Sequence, residues 1–496
     1  MSVPITAAIL YDLVQCPTRV ARDLFGDPAG RDEISPFVKM LWERGALYER
    51  EVIERGEFPF LDLSQADAGE KERLTLEAMR RGEPLIYGGR ICADDLVGMP
   101  DLLRRRGAGY VPIDIKSGRG EDGGGDDDSD GKPKLHYAVQ LALYVDVLER
   151  LGLSAGRDGV ILDVRGEEIA YDFTEPRGAR KADTLWDAYQ AHLATARAIA
   201  AGTVSPIGAL ASSCKLCHWY STCSKALRDA DDLTLIPFLG RTVRDAMAPT
   251  IPTVADLAGC DPDAFIVKGK TPFKGVGADR LKTFHARARL LSEPGAKAYL
   301  TEPLKLPVSE VEFFFDIEVD PLRDLTYLHG IVERRAGDNN GERFFAYFTD
   351  DETPAAERAA FAQSVAHLNS VPDATIWYYS KYERTIYRKL QARYPDVCTA
   401  EDIEILFDPG RAVDLYFDVV MKATEWPTND HSIKTLAKHL GFHWRDTDPS
   451  GAASIEWFDR WVGQRDPAIK ARILDYNEDD CRATRVLLDG IRGLAE

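Results

Sequence analysis

An aspartate and a lysine lie two residues apart in the short apolar stretch Tyr110-Val-Pro-Ile-Asp-Ile-Lys-Ser-Gly118. The alternation of apolar side chains predicts a buried strand, and residues two apart on a strand point to the same face. Asp114 could then hold a divalent metal ion, with the Lys116 ammonium beside the group that the ion activates. An isolated Asp-x-Lys is more often an ordinary surface ion pair, so the neighbouring elements must decide.

Acidic residues on two preceding elements could complete a metal site. Glu49 lies on a helix that is predicted to begin at Ser35-Pro36 and to end at Gly56. Asp95 comes directly before Leu96-Val97 and is predicted to begin a strand beside the 110–116 strand. Asp94 is the rival for this position, and the apolar pair that follows favours Asp95.

Gln140 and Tyr144 are four residues apart on a clean amphipathic pattern that predicts a helix over 135–151. Their spacing places both side chains on one face of that helix. Polar and aromatic residues in this arrangement are often only the flank of a helix. Their position directly after the Asp-x-Lys strand favours a role in the same site.

This order of helix, strand, strand and helix resembles the RecB-like branch of the PD-(D/E)XK nucleases. The resemblance implies a bound Mg²⁺ or Mn²⁺ with these oxygen ligands: Glu49, Asp95, Asp114 and the carbonyl of Ile115. Lys116 would orient the attacking water or help to deprotonate it. Gln140 and Tyr144 would support the site and the DNA.

Four of the eight cysteines form a spaced set, Cys16 and then Cys214-x2-Cys217-x5-Cys223. In a reducing compartment such a set is more often a metal site than a pair of disulfides. Spacing alone leaves zinc and an iron–sulfur cluster open. RecB-like nucleases of the CRISPR-adaptation and AddB types carry one cysteine before the core and three after it. That resemblance implies a 4Fe-4S cluster that joins the two ends of the domain.

A second pair of acids lies on the apolar stretch Val311-Glu-Phe-Phe-Phe-Asp-Ile-Glu-Val319. Asp316 and Glu318 would share one face of a buried strand, where two like charges repel unless a metal ion binds them. Two further strands, joined around Asn339-Asn-Gly341, are followed by a helix, a strand and a helix. This order predicts an RNase H-like sheet.

Near the end of the chain Tyr476 and Asp480 are four residues apart on one helix face. With the Asp-x-Glu strand they resemble the DEDD 3′–5′ exonucleases of the subtype with a tyrosine in the third motif. The resemblance implies that Asp316, Glu318 and Asp480 hold two metal ions and that Tyr476 orients the water. The middle acid departs from the pattern, since Glu383 stands where aspartate is usual. Asp414 is its rival.

The segment between these two parts carries glycines and basic residues. Gly275-Val-Gly277 before a predicted helix resembles a helix-hairpin-helix, whose glycines let helix N-terminal amides approach a phosphate. Positive charge would come from basic side chains close to this turn: Lys274, Arg280, Lys282, Arg287 and Arg289. A plain helical linker with a glycine turn is the alternative.

Composition sets wider limits. The 496 residues carry a net charge of −19, but local basic surface rather than the total decides phosphate binding. Six acids fall within residues 121–130, a Gly/Asp-rich loop. The sequence contains no run of about 18 apolar residues, so no membrane span is predicted. The first residues lack a basic leader and include Asp12, so a cytoplasmic location is expected.

The sequence therefore predicts an α/β protein in three parts. These are a restriction-endonuclease-like PD-(D/E)XK domain (1–230), a small helical segment (231–305) and an RNase H-like domain (306–496). The expected function is metal-dependent hydrolysis of DNA, single-stranded or at ends, with a separate helicase or a CRISPR or recombination protein as partner. The alternative is a DNA-binding accessory protein with a degenerate C-terminal domain that recruits a helicase or integrase.

Overall fold

The computed structural model describes residues 3–56, 59–122, 131–178 and 181–495. The chain divides into two compact units. The first contains Met1–Gly208 and Ser212–Ser224, and the second contains Ala209–Ala211 and Lys225–Glu496. Most of the predicted acidic loop, residues 123–130, lies outside the described residues. Residues 231–305 cluster with the C-terminal part in the second unit, and the division into three parts stays a prediction.

Helices of the first unit begin where side chains cap free backbone amides. Thr6 accepts a hydrogen bond from the amide of Ile9, and Ser35 accepts one from Val38 with Pro36 at the first helical position. The helices up to the end of this unit are α1 (Ala7–Gln15), α2 (Pro17–Phe25), α3 (Pro36–Arg55), α4 (Ala68–Arg81), α5 (Leu135–Arg150), α6 (Leu185–Ala200) and α7 (Tyr220–Asp229), the last of which contains the boundary between the units.

The strands of the first unit are mostly short. They are β1 (Ile5–Thr6), β2 (Leu61–Asp62), β3 (Leu85–Tyr87), β4 (Ile91–Ala93), β5 (Leu96–Gly98), β6 (Leu102–Arg106), β7 (Gly109–Ile115), β8 (Glu121–Asp122), β9 (Lys132–Pro133), β10 (Asp158–Leu162), β11 (Glu168–Asp172), β12 (Pro176–Gly178) and β13 (Lys181–Thr184).

The strand that carries Asp114 lies inside a mixed sheet with the order β11-β10-β7-β6-β3-β2. This strand, β7, is buried along its whole length, antiparallel to β6 and parallel to β10. The helix α5 packs on it and is apolar around nearly its whole circumference, as a buried helix must be. The core of this unit therefore positions the Asp114 strand and the helix of Gln140 and Tyr144 together.

The strand after Asp95 does not lie beside β7, so that expectation is wrong. This strand, β5, pairs with β1 and β4 in a separate three-stranded sheet. It ends at Gly98, two residues before Pro100, which has no amide to donate to a ladder. The chain turns there, and β6 after the turn becomes the neighbour of β7.

The second unit begins with a small helical part around its own apolar core, which contains Leu257, Phe273, Leu281 and Phe284. The helices of this unit are α8 (Arg241–Met247), α9 (Val254–Gly259), α10 (Ala278–Ser292), α11 (Pro354–Leu368), α12 (Tyr382–Arg393), α13 (Ala400–Leu406), α14 (Met421–Ala423), α15 (Ile433–His439), α16 (Gly451–Gln464) and α17 (Pro467–Leu494).

A five-stranded sheet forms the centre of the second unit, with the order β17-β16-β15-β18-β19. The strands are β14 (Tyr299–Leu300), β15 (Val311–Asp320), β16 (Leu325–Arg335), β17 (Arg343–Phe348), β18 (Thr375–Tyr378), β19 (Ala412–Asp414) and β20 (Thr424–Glu425). Three antiparallel strands are followed by a helix, a parallel strand and a helix. The predicted order of elements is thereby confirmed. The long helix α17 packs on β15 and β16.

None of the described helices is both long enough and apolar enough to span a lipid bilayer.

Candidate active sites

The first candidate site forms where β7 ends. Lys116 Nζ lies 3.1 Å from a carboxylate oxygen of Asp114, whose side chain is only 2% exposed. Asp101, which directly precedes β6, accepts a hydrogen bond of 2.7 Å from the amide of Ile115. Burial, and then the charge of Asp114, raise the pKa of Asp101 well above its usual range. Two adjacent buried carboxylates repel, and a bound cation would stabilise both.

Lys116 already supplies one positive charge to this pair. Burial acts to lower the pKa of Lys116, but the charges of Asp114 and Asp101 outweigh it and raise the pKa above its usual range. Because of this, the side chain stays an ammonium that can donate hydrogen bonds to an oxyanion. Its backbone is fixed at the end of the interior strand β7, since the amide of Lys116 donates to the carbonyl of Leu162.

Glu49 reaches the same group from α3. Its carboxylate accepts a hydrogen bond of 3.0 Å from the hydroxyl of Tyr87 on β3. Its charge also acts to raise the pKa of Asp101, which places the two carboxylates near each other. The structure therefore brings Glu49, Asp101, Asp114 and Lys116 together.

Gln140 and Tyr144 lie on the face of α5 that borders this group. Gln140 Nε2 donates to the Tyr144 hydroxyl at 3.3 Å, and that hydroxyl donates to the carbonyl of Met99 at 3.3 Å. Burial, and then the charges of Asp114 and Asp101, raise the pKa of Tyr144. Tyr144 therefore holds the turn that leads into Asp101. A Cβ on Gly98 would lie 2.7 Å from the Tyr144 ring, so only glycine allows this approach.

The structure does not bring Asp95 to this group. Both of its carboxylate oxygens pair with Arg197, at 2.8 and 2.7 Å, and the hydrogen bond with Arg197 lowers the pKa of Asp95. Its rival Asp94 pairs with Arg150 at 2.7 Å. Both are ordinary ion pairs near the surface. The dipeptide Pro100-Asp101 is the feature of the local sequence that could have pointed to Asp101.

The second candidate site brings together one oxygen atom each from Asp316, Glu318 and Asp480. These atoms lie within 4.8 Å of one another, and within the described part of the chain they are the one group of metal-binding side chains this compact. Burial, and then the charges of Asp480 and Glu318, raise the pKa of Asp316 well above its usual range. Burial and the charge of Asp480 raise the pKa of Glu318 to about 8.

Side chains that the sequence analysis missed orient these three acids. The amide of Asn477 donates to Asp316 at 2.7 Å, and Trp444 Nε1 donates to Asp480 at 2.7 Å. The hydroxyl of Tyr327 donates to Glu318 at 3.2 Å. None of these residues belongs to a spaced acidic motif. Asn477, within Tyr476-x3-Asp480, was the one that local sequence could have suggested.

Tyr476 lies beside Asp480, as predicted from their spacing. Burial, and then the charges of Asp480 and Glu318, raise the pKa of Tyr476 well above its usual range, so the hydroxyl keeps its proton. Lys434 Nζ donates to this hydroxyl at 2.8 Å and lies 3.2 Å from both oxygens of Asp480. No sequence pattern pointed to Lys434, because it lies on a different helix, α15.

Glu383 and Asp414 differ in what their carboxylates do. Glu383 is buried on α12, burial raises its pKa to about 8, and its charge acts on Asp316. Asp414 instead caps the helical turn Leu415–Val420 by accepting from the amides of Tyr416 and Phe417 at 2.9 and 3.0 Å. Glu383 is therefore the one of the two that borders the three acids.

A family model of the PD-(D/E)XK nuclease superfamily matches residues 20–224. A family model of the RNase H superfamily matches residues 313–491. The chain joins domains of two nuclease superfamilies. No curated protein matches the chain. The predicted fold class, a PD-(D/E)XK domain followed by an RNase H-like domain, is thereby confirmed.

The four predicted cluster cysteines all belong to the unit that contains the PD-(D/E)XK domain. Cys16 lies between α1 and α2, while Cys214, Cys217 and Cys223 follow α6. Burial raises the pKa of Cys217 and Cys223, and the charge of Cys16 acts to raise both. The thiols therefore lie near one another, although their residues come from the two ends of the domain.

Hydrogen bonds hold the later cysteines against α2. Asp23 accepts a hydrogen bond from Trp219 Nε1 at 2.9 Å, and the same oxygen lies 2.7 Å from His218 Nε2. The guanidinium groups of Arg22 and Arg31 stack on the buried Trp219 ring. This contact joins the two ends of the PD-(D/E)XK domain without any metal.

The glycine turn before α10 is open to a ligand. The basic residues near it differ in exposure and in their partners. Gly277 precedes the helix, Gly275 has a φ of 79°, and no atom lies where a Cβ on either would extend. Lys274 and Arg280 are exposed, and Arg280 donates to the carbonyl of Gly275 at 3.1 Å. Arg287 does not serve phosphate binding, since it is buried in a two-bond pair with Glu425 at 2.7 and 2.9 Å.

Proposed function

We propose that this chain is a metal-dependent DNA nuclease that hydrolyses single-stranded or end-containing DNA in repair, recombination or defence against foreign DNA. One observation carries the proposal. The buried carboxylate of Asp114 lies 3.1 Å from the ammonium of Lys116, with the carboxylate of Asp101 bound to the intervening amide of Ile115. Two carboxylates that can bind a metal ion, next to a fixed ammonium, are suited to hydrolysis of a phosphodiester by an activated water molecule.

Both groups of side chains fit Mg²⁺ or Mn²⁺. Each offers oxygen ligands from carboxylates, which these hard cations prefer. In each, burial and then the charges of neighbouring carboxylates raise the pKa of an aspartate, Asp101 or Asp316, and a divalent cation would relieve the repulsion between the carboxylates. A divalent ion bound there would polarise the phosphate and lower the pKa of a water nucleophile.

In the PD-(D/E)XK domain the protein's own groups divide the work. Glu49, Asp101 and Asp114 bind the ion, and the Lys116 ammonium stabilises the charge that develops on the phosphate oxygens. Tyr144 keeps Asp101 in place through the carbonyl of Met99. Gln140 Oε1 is buried and accepts no hydrogen bond from the described residues, so it is ready to accept one from the DNA or the water.

In the RNase H domain we propose 3′–5′ exonuclease action. Asp316, Glu318 and Asp480 bind the metal, and Glu383 is the middle acid in place of the usual aspartate. Tyr476 orients the attacking water with its hydroxyl, which Lys434 and Asp480 hold in place by hydrogen bonds. The exposed Lys274, Gly275, Gly277 and Arg280 form a contact for the DNA backbone.

A 4Fe-4S cluster on Cys16, Cys214, Cys217 and Cys223 is part of the proposal. The spacing of these cysteines in the sequence suits zinc as well as a cluster. The choice of a cluster rests on the resemblance to nucleases that carry one cysteine before the domain core and three after it. The cluster would join the two ends of the domain and would not act on the DNA.

The proposal includes a partner protein that opens duplex DNA, either a separate helicase or a CRISPR or recombination protein, and a cytoplasmic location.

Digestion of end-labelled single- and double-stranded DNA by two single-site variants tests the proposal. Lys116→Ala leaves the RNase H site intact and should release mononucleotides from the 3′ end. Asp480→Ala leaves the PD-(D/E)XK site intact and should give a different product ladder. Identical products from both variants would contradict two independent sites, and no products from either would contradict the RNase H and PD-(D/E)XK assignments together.

A further inference from the structure

The ammonium of Lys434 lies inside the acidic group of the RNase H domain. Its Nζ is 3.2 Å from each carboxylate oxygen of Asp480 and 2.8 Å from the Tyr476 hydroxyl. The Lys434 ammonium therefore lies where a cation would bind the Asp480 carboxylate. Unlike a metal ion, this positive charge is covalently part of the protein.

Two aromatic rings and a hydrogen bond hold this arrangement. Lys434 Nζ lies 4.9 Å from the centre of the Tyr476 ring and 5.6 Å from that of Trp444, distances at which ring faces attract a cation. Trp444 Nε1 also donates to Asp480 at 2.7 Å, which fixes the carboxylate from the other side. The lysine side chain is only 24% exposed. The ammonium is therefore a built part of the site, unlike a mobile surface lysine.

Charge balance gives the consequence. The group contains four carboxylates, those of Asp316, Glu318, Asp480 and the adjoining Glu383, and their four negative charges, when all are ionised, match two divalent ions. Lys434 reduces this sum to three negative charges, which a second divalent ion would exceed. Lys434 also helps to orient Tyr476, because its ammonium donates a hydrogen bond to the phenol oxygen.

We propose that Lys434 is an internal cation that replaces one of two divalent ions, so that the RNase H site binds a single Mg²⁺ or Mn²⁺. The inference rests on the proposed nuclease function of this domain. Lys434 is a positioning residue: it holds Asp480 and Tyr476 and supplies fixed charge. Asp316 and Glu318 are the carboxylates that would hold the single ion.

Counting bound Mn²⁺ tests this without any activity measurement. The full chain carries Asp101→Asn and Asp114→Asn, which remove two of the three proposed carboxylate ligands of the PD-(D/E)XK site, and free Mn²⁺ is followed by electron paramagnetic resonance during titration. This background should bind one Mn²⁺ at the RNase H site. Adding Lys434→Met should raise the number to two. Lys434→Arg, which keeps the charge, should leave it at one.

Each other result overturns the inference. Two ions in the background with Lys434 present, or one ion after Lys434→Met, would show that the ammonium replaces nothing. If Lys434→Met does not fold, Lys434→Gln makes the same comparison with a neutral polar side chain. No ion in the background or in either neutral variant would contradict the metal-dependent function of this domain itself, and the inference with it. The two failures are therefore distinguishable.

Discussion

The carboxylate of Asp101 accepts a hydrogen bond of 2.7 Å from the amide of Ile115, the last residue of the interior strand β7 of the PD-(D/E)XK sheet. Ile115 lies between Asp114 and Lys116, so this hydrogen bond fixes the position of Asp101 relative to both residues. The same side chain is partly buried, and loss of solvent contact, followed by the charge of Asp114, raises the pKa of Asp101. One backbone hydrogen bond thus brings an acid from outside the strand into the proposed metal site.

Replacement of Asp101 should abolish cleavage by the PD-(D/E)XK domain, whereas replacement of Asp95 should not. In a chain with Asp480→Ala, Asp101→Asn removes one metal ligand and should lower the cleavage rate by at least about 100-fold, the scale of losing one charge-stabilising group. Asp95→Asn breaks only a partly exposed ion pair with Arg197, worth about 0–1 kcal/mol. Its rate should change by no more than a few-fold.

The matched pair makes the comparison sharp. Both changes remove one carboxylate charge from the same domain, so a general electrostatic effect on DNA binding would affect both rates alike. A large loss with Asp95→Asn and none with Asp101→Asn would restore Asp95 as the ligand and contradict the assignment of Asp101.

A second lysine, Lys134, serves as the control for substitution of Lys116. Lys116 and Lys134 both lie over the Tyr137 ring, with Nζ at 5.6 and 5.4 Å from its centre, but only Lys116 pairs with Asp114. Lys116→Met should therefore eliminate cleavage in the Asp480→Ala chain while leaving DNA binding, measured by fluorescence anisotropy, within a few-fold. Lys134→Met should preserve cleavage. Equal loss from both would reduce Lys116 to one of several basic contacts.

The paired site residues on the strands could be predicted from the sequence alone, because the geometry of a strand fixes which residues share a face. Asp114 with Lys116, and Asp316 with Glu318, are two apart on buried strands, and the period of a strand places each pair on one face. Tyr476 and Asp480 followed in the same way from the period of a helix. The order of strands and helices in the RNase H-like sheet was predictable for the same reason.

The other site residues could not be predicted, because contacts between distant elements position them and the periodicity of one strand or helix does not show such contacts. Asp101 follows a turn at Pro100, and only its hydrogen bond to Ile115 brings it to the site. Asp95 precedes an apolar pair and fitted a strand, but that strand belongs to another sheet. Lys434 is distant in sequence from the acids that it contacts. Arg287 was expected to contact DNA because of its charge, whereas tertiary packing buries it with Glu425.

The cysteine set should bind four irons per chain. Cys223→Ala should abolish bound iron and sulfide in protein purified without oxygen and should lower the thermal transition of the first unit, because the bridge between its ends is lost. Cys260→Ala, outside the set, should change neither iron content nor colour. A colourless wild type with one zinc per chain would contradict the cluster.

His329 should make the second unit less stable in acid. It lies on the face of β16 opposite the acids, beside Phe361 and Tyr387, and burial lowers its pKa from 6.5 to about 3. Between these values the unfolded chain binds a proton that the folded chain excludes. The free energy of unfolding therefore falls as pH falls below 6.5, by about 1.4 kcal/mol per pH unit from this group.

His329→Asn removes the titrating group but keeps a polar side chain next to Tyr387. Hydrogen exchange of the β16 amides between pH 5 and 7 should give a shallower pH dependence in this variant than in the wild type. The absolute stability of the variant does not enter this comparison. Parallel pH profiles would show that His329 is protonated within the folded protein.

The central claim is that one chain contains two metal-dependent hydrolytic sites. The most direct measurement is total cleavage of single- and double-stranded DNA, with Mg²⁺ or Mn²⁺ and with chelator, by the wild type and by the double variant Lys116→Ala/Asp480→Ala. The wild type should cleave only with the metal, and the double variant should not cleave at all. Absence of cleavage by the wild type on every DNA and RNA substrate, or full cleavage by the double variant, would contradict the account.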